Sequence, residues 1–189
     1  MSRVIIADDE AVIRMGLSQM VSALGYHIAG TAANGEEALE MTKSIKPELL
    51  LLDIKMPRLD GLSVAERLVE EMPLPIVMLT AYSERSLIER AANAAVMGYL
   101  VKPIHEKKLG PTLALAMNRF EIMRTKAQEI YKLRNQLETR RLVDAAKQIL
   151  VATGISEAEA YQRLQMTARR KRLPMHQVAE AIVAIGAKI

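Results

Sequence analysis

Five side chains that could do chemistry stand at the ends of short apolar runs in this chain. Asp8 and Asp9 follow the first run, Asp53 follows four consecutive leucines, and Thr80 and Lys102 follow two later runs. Taken singly, each could be a helix cap or a partner in a surface ion pair. If the runs are parallel strands, however, their carboxyl ends lie along one edge of a sheet and the five side chains meet there.

Three carboxylates gathered at one edge would raise one another's pKa values unless a cation neutralised them. Mg²⁺ is a hard ion that prefers oxygen ligands and often binds together with phosphate, so it is the cation expected at this site. The Asp53 carboxylate could then attack phosphorus to form an acyl phosphate, with the metal, Lys102 and Thr80 stabilising the phosphoryl oxygens. The sequence has no glycine-rich phosphate loop and no nucleophile elbow, which argues against a nucleotide hydrolase or serine esterase. We therefore predict a phosphoryl acceptor and no enzyme.

The elements that must position these side chains alternate between strand and helix. The apolar runs occupy residues 4–7, 28–32, 49–52, 75–79 and 98–101. The segments between them have the three- and four-residue apolar spacing of helices, including residues 83–96. Five alternations of this kind predict an α/β fold, a doubly wound five-stranded parallel sheet over about the first 110 residues.

The remainder of the chain is predicted to be helical. Apolar residues keep helical spacing at Leu113, Met117, Phe120, Met123, Ala127, Ile130, Leu133 and Leu137. This stripe predicts a coiled-coil-like connector and dimerisation, although three arginines fall near the seam. A helix from residue 142 stops near Gly154, a capping box from Ser156 to Glu159 opens the next helix, and Pro174 opens the last. We predict a domain over residues 1–120, a linker over 121–140 and an all-α output domain over 128–189.

Charge divides the chain in the same way. Residues 1–110 carry a net charge of −3 and residues 111–189 a net charge of +7, which suggests a regulatory half joined to a half that binds polyanions. The sequence has no cysteine, so disulfides and thiolate metal sites are excluded. No run approaches 18 apolar residues, and acidic residues come too early for a signal peptide. The expected location is the cytoplasm, with no membrane partner.

The first half resembles the receiver domain of two-component response regulators. The residues that carry the likeness are Asp8-Asp9, Asp53 with Met56-Pro57 and Gly61, Thr80-Ala81, Gly98-Tyr99 and Lys102-Pro103. The resemblance covers about residues 1–120 and implies that Asp53 is the phosphoacceptor, served by a histidine kinase. It also implies that Thr80 and Tyr99 are a switch pair, in which Thr80 moves toward the phosphate and Tyr99 turns inward.

The same resemblance implies a set of Mg²⁺ ligands. The side chains of Asp9 and Asp53 would bind the ion directly, and the backbone carbonyl of Lys55 would be the third protein ligand. Asp8 would act mainly through metal-bound water.

A basic cluster marks the second half. Arg169, Arg170, Lys171 and Arg172 are consecutive, and Lys147 and Arg163 add to them. The cluster could be a solvated helix end, where cations are favoured by the helix dipole, or a phosphate-binding patch. Only Tyr161 lies near it in sequence, so structured RNA or DNA held through its backbone fits better than a single strand stacked on aromatic rings.

The second half resembles the ANTAR domain, a three-helix RNA-binding output module of bacterial antitermination regulators. The likeness rests on residues 145–150 and 154–161, with Leu164, Ala168, Leu173 and Val178-Ala179. It implies that a dimer binds paired RNA hairpin loops and prevents a terminator from forming. By position, Ala146, Lys147, Arg169 and Arg172 would face the RNA. The chain departs from the family in having Gln148 in place of glycine and Val151 in place of methionine.

The sequence therefore predicts a response regulator that a histidine kinase phosphorylates and that controls RNA binding and transcription antitermination. One alternative is a DNA-binding regulator, although the last helix, with an apolar face and no Lys or Arg over residues 174–185, is a poor reader of bases. The other is a helical output domain that binds a protein.

Overall fold

The computed structural model describes residues 2–81 and 96–186. Its strands are β1 (Arg3–Ala7), β2 (His27–Ala32), β3 (Leu49–Asp53), β4 (Ile76–Thr80) and β5 (Val96–Val101). Its helices are α1 (Ala11–Ala23), α2 (Gly35–Ile45), α3 (Gly61–Glu71), α4 (Glu106–Val151), α5 (Glu157–Lys171) and α6 (Met175–Gly186). The helix predicted for residues 83–96 lies outside the described residues, except that Val96 begins β5, two residues before the predicted start of that strand.

The five strands form one parallel sheet in the order β2-β1-β3-β4-β5. This arrangement confirms the predicted fold class. Strand β3 is central, and all five of its residues are buried. Because the strands are parallel, their carboxyl ends lie along the same edge of the sheet. Asp53 is therefore carried to the middle of that edge by a strand that is buried along its whole length.

Both faces of the sheet are covered, which explains the uninterrupted leucines. Leu50 and Leu52 pack on one face with residues of α2 and α3, whereas Leu49 and Leu51 pack on the other with residues of α1 and the start of α4. Successive side chains of a strand point to opposite faces. A strand that is buried on both sides therefore needs an apolar residue at every position.

The chain divides into two compact units, residues 1–124 and residues 125–189. The second unit has its own core, formed by Val143, Ala146, Leu164, Ala168, Val178 and Ala179. The predicted capping box is confirmed, since Ser156 Oγ accepts from the Glu159 amide at 3.3 Å and Glu159 Oε2 accepts from the Ser156 amide at 2.9 Å. No helix in residues 2–81 and 96–186 has the length and apolarity needed to cross a bilayer.

Candidate phosphoacceptor site and basic surface

A buried ion-pair network lies at the carboxyl edge of the sheet. Lys102 Nζ is 2.8 Å from Asp8 Oδ2 and 3.1 Å from Asp53 Oδ1, although the three residues lie at the ends of three different strands. Asp8 is fully buried and Asp53 is 5% exposed. Charged side chains are rarely buried to this degree unless they are paired. The structure therefore brings together three of the residues that the sequence singled out.

The negative charge of Asp53 is only partly neutralised within this network. Burial raises the pKa of Asp53 to about 6, and the charges of Asp8 and Asp9 add to the increase while Lys102 opposes it. Burial disfavours the charged form of Lys102, but the hydrogen bonds to Asp8 and Asp53 and the charges of these carboxylates together outweigh burial and raise the pKa of the amine. The site thus has more negative charge than one lysine neutralises, and a further cation would be stabilised there.

Backbone packing holds Asp53 in place from the α3 side. The Gly61 amide donates to the Ile54 carbonyl at 2.9 Å. A Cβ atom at Gly61 would overlap the Asp53 carbonyl, so only glycine allows the start of α3 to approach β3 so closely. Asp60 caps α3 by accepting from the Ser63 amide at 2.9 Å. The loop after Asp53 is therefore fixed at both of its ends.

The remaining predicted metal-site residues border one open cleft. Asp9 and Lys55 are among the residues lining a cleft of about 560 Å³. Carboxylate oxygens of Asp8, Asp9 and Glu10 also lie within 4.8 Å of one another. A cluster of carboxylate oxygens beside an open cleft is the donor set that a hard divalent cation prefers.

Two residues of this region were missed by the sequence analysis. Glu10 Oε1 lies 3.9 Å from Lys102 Nζ, and Arg14 Nη1 donates to the Asp8 carbonyl at 2.6 Å. Glu10 could have been found because it continues the acidic run after β1. Arg14 is one helical turn beyond Glu10, and only the start of α1 at Ala11 shows that its side chain can reach back to Asp8.

Thr80 and Tyr99 share one face of the sheet. Tyr99 is in register with Met78, two residues before Thr80 on the neighbouring strand. Thr80 is 1% exposed, and its hydroxyl donates to the Ala81 carbonyl at 3.0 Å. Tyr99 is half-buried against the core, and burial raises the pKa of its phenol. The proximity suits a switch pair, and that role stays a prediction.

The second unit presents the basic cluster on its surface. Arg163, Arg169, Arg170, Lys171 and Arg172 are all exposed. Four of them are consecutive at the end of α5, where Arg172 adopts a left-handed conformation with φ of 53°. The chain reverses at this point, so the cluster is a compact patch of cations open to solvent.

Two residues predicted to face RNA are placed differently from that patch. Ala146 is completely buried in the core of the second unit, so the prediction that it contacts RNA is wrong for this structure. Its small side chain instead allows α4 to pack closely against α5 and α6. Lys147 is engaged within the protein, with its Nζ 2.6 Å from Glu157 Oε1 and 3.3 Å from Asp144 Oδ1.

The first unit has buried aspartates and a lysine at the carboxyl edge of a parallel sheet, which is the chemistry of a phosphoryl acceptor. The second unit is helical and exposes arginines, which suits the binding of a polyanion. Together they indicate the class of phosphoryl-accepting regulators with a polyanion-binding output domain. The family model of the response regulator receiver domain matches residues 4–114, and that of the ANTAR domain matches residues 131–183. The chain therefore belongs to the response regulator family, with a receiver domain and an ANTAR output domain.

Individual relatives agree with this assignment. The chain is 43% identical over 182 residues to the transcriptional regulatory protein PdtaR of Mycobacterium tuberculosis, which covers 96% of this chain and 89% of the relative. It is 45% identical over 116 residues to the positive alginate biosynthesis regulatory protein of Pseudomonas aeruginosa, covering 60% of this chain and 46% of that protein.

Solved structures match the receiver half. The REC domain of AraT from Geobacillus stearothermophilus superposes with a TM-score of 0.59 at 31% identity, covering 65% of this chain and 98% of that chain. The predicted function is confirmed at the level of the family: the protein is a response regulator, phosphorylated on an aspartate by a histidine kinase, that controls RNA binding and transcription antitermination.

Proposed function

We propose that Asp53 is the phosphoacceptor and that Lys102 is the cation that receives the added charge. The observation that carries this proposal is the position of Lys102 Nζ, within 3.1 Å of a buried Asp53 carboxylate. A bond forms between an Asp53 oxygen and phosphorus as the bond from phosphorus to a kinase histidine nitrogen breaks, and that nitrogen keeps the electron pair. Because the lysine already sits at the carboxylate, little reorganisation is needed as phosphoryl charge arrives.

Asp8, Asp9, Asp53 and the Lys55 carbonyl would hold a Mg²⁺ ion. Support comes from the donor set, which is entirely oxygen, and from the charge that Lys102 leaves unneutralised. When bound, the ion would neutralise charge on the phosphoryl oxygens. Lys102 also bridges Asp8 and Asp53, and its contact with Asp8 would keep the amine in place when Asp53 takes up the phosphoryl group.

Phosphorylation would act on the output through the Thr80–Tyr99 pair and through dimerisation. A phosphate adds about −1.5 to −2 charge at neutral pH, enough to draw the Thr80 hydroxyl toward it and to let Tyr99 turn inward. The apolar stripe on α4 supports dimerisation, since Ile130, Leu133 and Leu137 are each more than half exposed in the single chain. Burying such a stripe against a second α4 is favourable.

The RNA ligand is proposed to be a pair of hairpin loops contacted by the exposed arginines of the second unit. Arg163, Arg169, Arg170, Lys171 and Arg172 would meet phosphates, which are recognised without regard to sequence. Lys147 could join them only by leaving Glu157 and Asp144. Since its target is a growing transcript, the protein would work in the cytoplasm.

The salt dependence of RNA affinity tests the basic surface. Arg169→Ala combined with Arg172→Ala should weaken binding to a tandem-hairpin RNA and reduce the slope of log K against log salt by about 1 for each lost phosphate contact. Arg67→Ala, which removes an exposed arginine from α3 in the first unit, is the matched control and should leave the slope unchanged. An unchanged slope in the double variant would show that these arginines do not contact RNA phosphates.

Duplex DNA of equal length in competition with the hairpin RNA separates the RNA-binding function from the DNA-binding alternative. We expect the RNA to win at every salt concentration tested. A preference for the duplex would favour a groove-binding output instead.

A further inference from the structure

A groove in the second unit combines aromatic, amide and cationic side chains in one place. Its volume is about 590 Å³, and residues of α4, α5 and the start of α6 line it. Two tyrosines border it, Tyr131 from α4 and Tyr161 from α5, with 68% and 41% of their surface exposed. Tyr131 is 30 positions before Tyr161 in sequence, which is why the sequence alone gave no sign of an aromatic pair.

The lining has the chemistry by which proteins hold an unpaired base. Exposed rings offer faces on which a base can stack. Asn135 and Thr139 offer amide and hydroxyl groups for the edge of a base. Lys132 and Arg140 offer cations for its phosphate, although Asp144 also lines the groove and its Oδ2 lies 4.0 Å from Arg140 Nε. The second unit is basic as a whole, so an RNA strand is drawn toward it.

The groove lies on the side of α4 away from the apolar stripe. At about 100° of rotation per residue, Asn135 and Thr139 point roughly opposite to Ile130 and Leu137, whereas Arg140 lies beside Leu133 at the edge of the stripe. A second α4 seated on the stripe would therefore leave the side of the groove that carries Asn135 and Thr139 open. The same face of α4 continues into Val143, which packs in the core of the second unit, so the groove is the part of this face that α5 and α6 leave uncovered.

We propose that this groove binds one unpaired base from a loop of the RNA, with Tyr131 and Tyr161 as the stacking residues. The proposal rests on the RNA-binding function above and adds to it a place where loop sequence is read. The phosphate contacts proposed for the exposed arginines at the end of α5 would not distinguish one base from another. The groove supplies that discrimination through the amide of Asn135 and the hydroxyl of Thr139.

The test uses the full chain, treated with a small phosphodonor, and a tandem-hairpin RNA selected by this protein from a pool with randomised loops. Each loop base is then replaced in turn by an abasic site. We expect one position in each loop to be sensitive, with affinity falling at least about tenfold. Tyr131→Leu with Tyr161→Leu should cause a similar loss, whereas Tyr131→Phe with Tyr161→Phe, which keeps both rings, should bind nearly as well as the unchanged protein.

Combining the protein substitutions with the RNA change tests whether the tyrosines and the base contact each other. In the variant with both tyrosines replaced by leucine, the abasic site should lower RNA affinity little further, because the stacking interaction is already lost. On the unchanged protein, 2-aminopurine at the sensitive position should be quenched on binding, which tests stacking without any substitution. Ile185→Ala removes an exposed apolar side chain elsewhere in the second unit and should leave affinity unchanged.

Four results would overturn the proposal. Additive losses, or 2-aminopurine that stays bright in the complex, would mean that the groove holds no base, although the RNA-binding function would stand. A changed oligomeric state in the leucine variant, with RNA affinity intact, would make the groove a protein-docking surface. Selection that yields no binding RNA would refute the RNA-binding function itself and this proposal with it.

Discussion

The two functional regions hold their charges in opposite ways. Asp8 and Asp53 are buried and tied to Lys102 by contacts of 2.8 and 3.1 Å, whereas the arginines at the end of α5 are open to solvent. A buried ion pair must recover a large desolvation cost, so the surrounding sheet has to fix its geometry. Exposed cations contribute little to folding. Substitutions at the buried ion pairs should therefore change both stability and phosphorylation. Substitutions of the exposed arginines should change RNA binding without changing stability.

The largest expected effect comes from the core of the second unit. Leu164→Ala removes a side chain that is 1% exposed from a core of six buried residues, and we expect a loss of about 3 kcal/mol in the free energy of unfolding. RNA binding should be lost while phosphorylation of Asp53 persists, because the sheet has separate cores.

Urea denaturation followed by circular dichroism, together with a phosphate-affinity gel, measures both effects of Leu164→Ala. Ile185→Ala is the control, since that side chain is 66% exposed and should cost less than about 0.5 kcal/mol. Equal loss of phosphorylation and RNA binding in Leu164→Ala would show that the core of the second unit is not independent of the cores of the sheet.

The next largest effect is expected in the first unit, next to the phosphoacceptor. Gly61→Ala places a Cβ atom against the backbone carbonyl of Asp53, which cannot move aside without displacing the phosphoacceptor. We expect a loss of about 2 kcal/mol and slower phosphorylation. Gly30→Ala is the matched control, because its Cβ would meet the flexible end of the Met41 side chain. Similar phosphorylation rates in the two variants would show that the Gly61 contact does not position Asp53.

The smallest effect concerns the helix that carries the exposed arginines. Ser156→Ala removes the cap of α5 and should destabilise the second unit by about 1 kcal/mol, with no change in phosphorylation. Ser156→Asp keeps a capping oxygen and should retain most of the stability. Thermal unfolding of the full chain checks both variants, and a larger loss for Asp than for Ala would mean that capping is not what Ser156 supplies.

The arrangement of the sheet could be predicted from the sequence because the geometry of a parallel sheet is simple. Consecutive apolar residues predicted buried parallel strands, and parallel strands bring their carboxyl ends to one edge whatever their separation in sequence. Asp8, Asp53 and Lys102 could therefore be placed together before any coordinate was known. Arg14 could not, because its contact with the Asp8 carbonyl depends on where α1 begins and on one side-chain rotamer.

The same reasoning was weaker for the helices. A helix has faces at every angle, so position in a motif does not decide which side chains are buried. Ala146 was expected at the RNA surface and lies in the core instead. Lys147 was expected to be available, yet Glu157, ten positions away and on the next helix, holds it. The pairing of Tyr131 with Tyr161 around one groove likewise depends on helix packing.

Phosphorylation of Asp53 is expected to control RNA binding by the second unit. The most direct measurement is the affinity of the full chain for the tandem-hairpin RNA with and without a small phosphodonor, in the unchanged protein and in Asp53→Asn. We expect the phosphodonor to tighten binding at least about tenfold in the unchanged protein, within the usual range of allosteric coupling, and to have no effect on Asp53→Asn. An equal gain in Asp53→Asn, or no gain in the unchanged protein, would contradict the account.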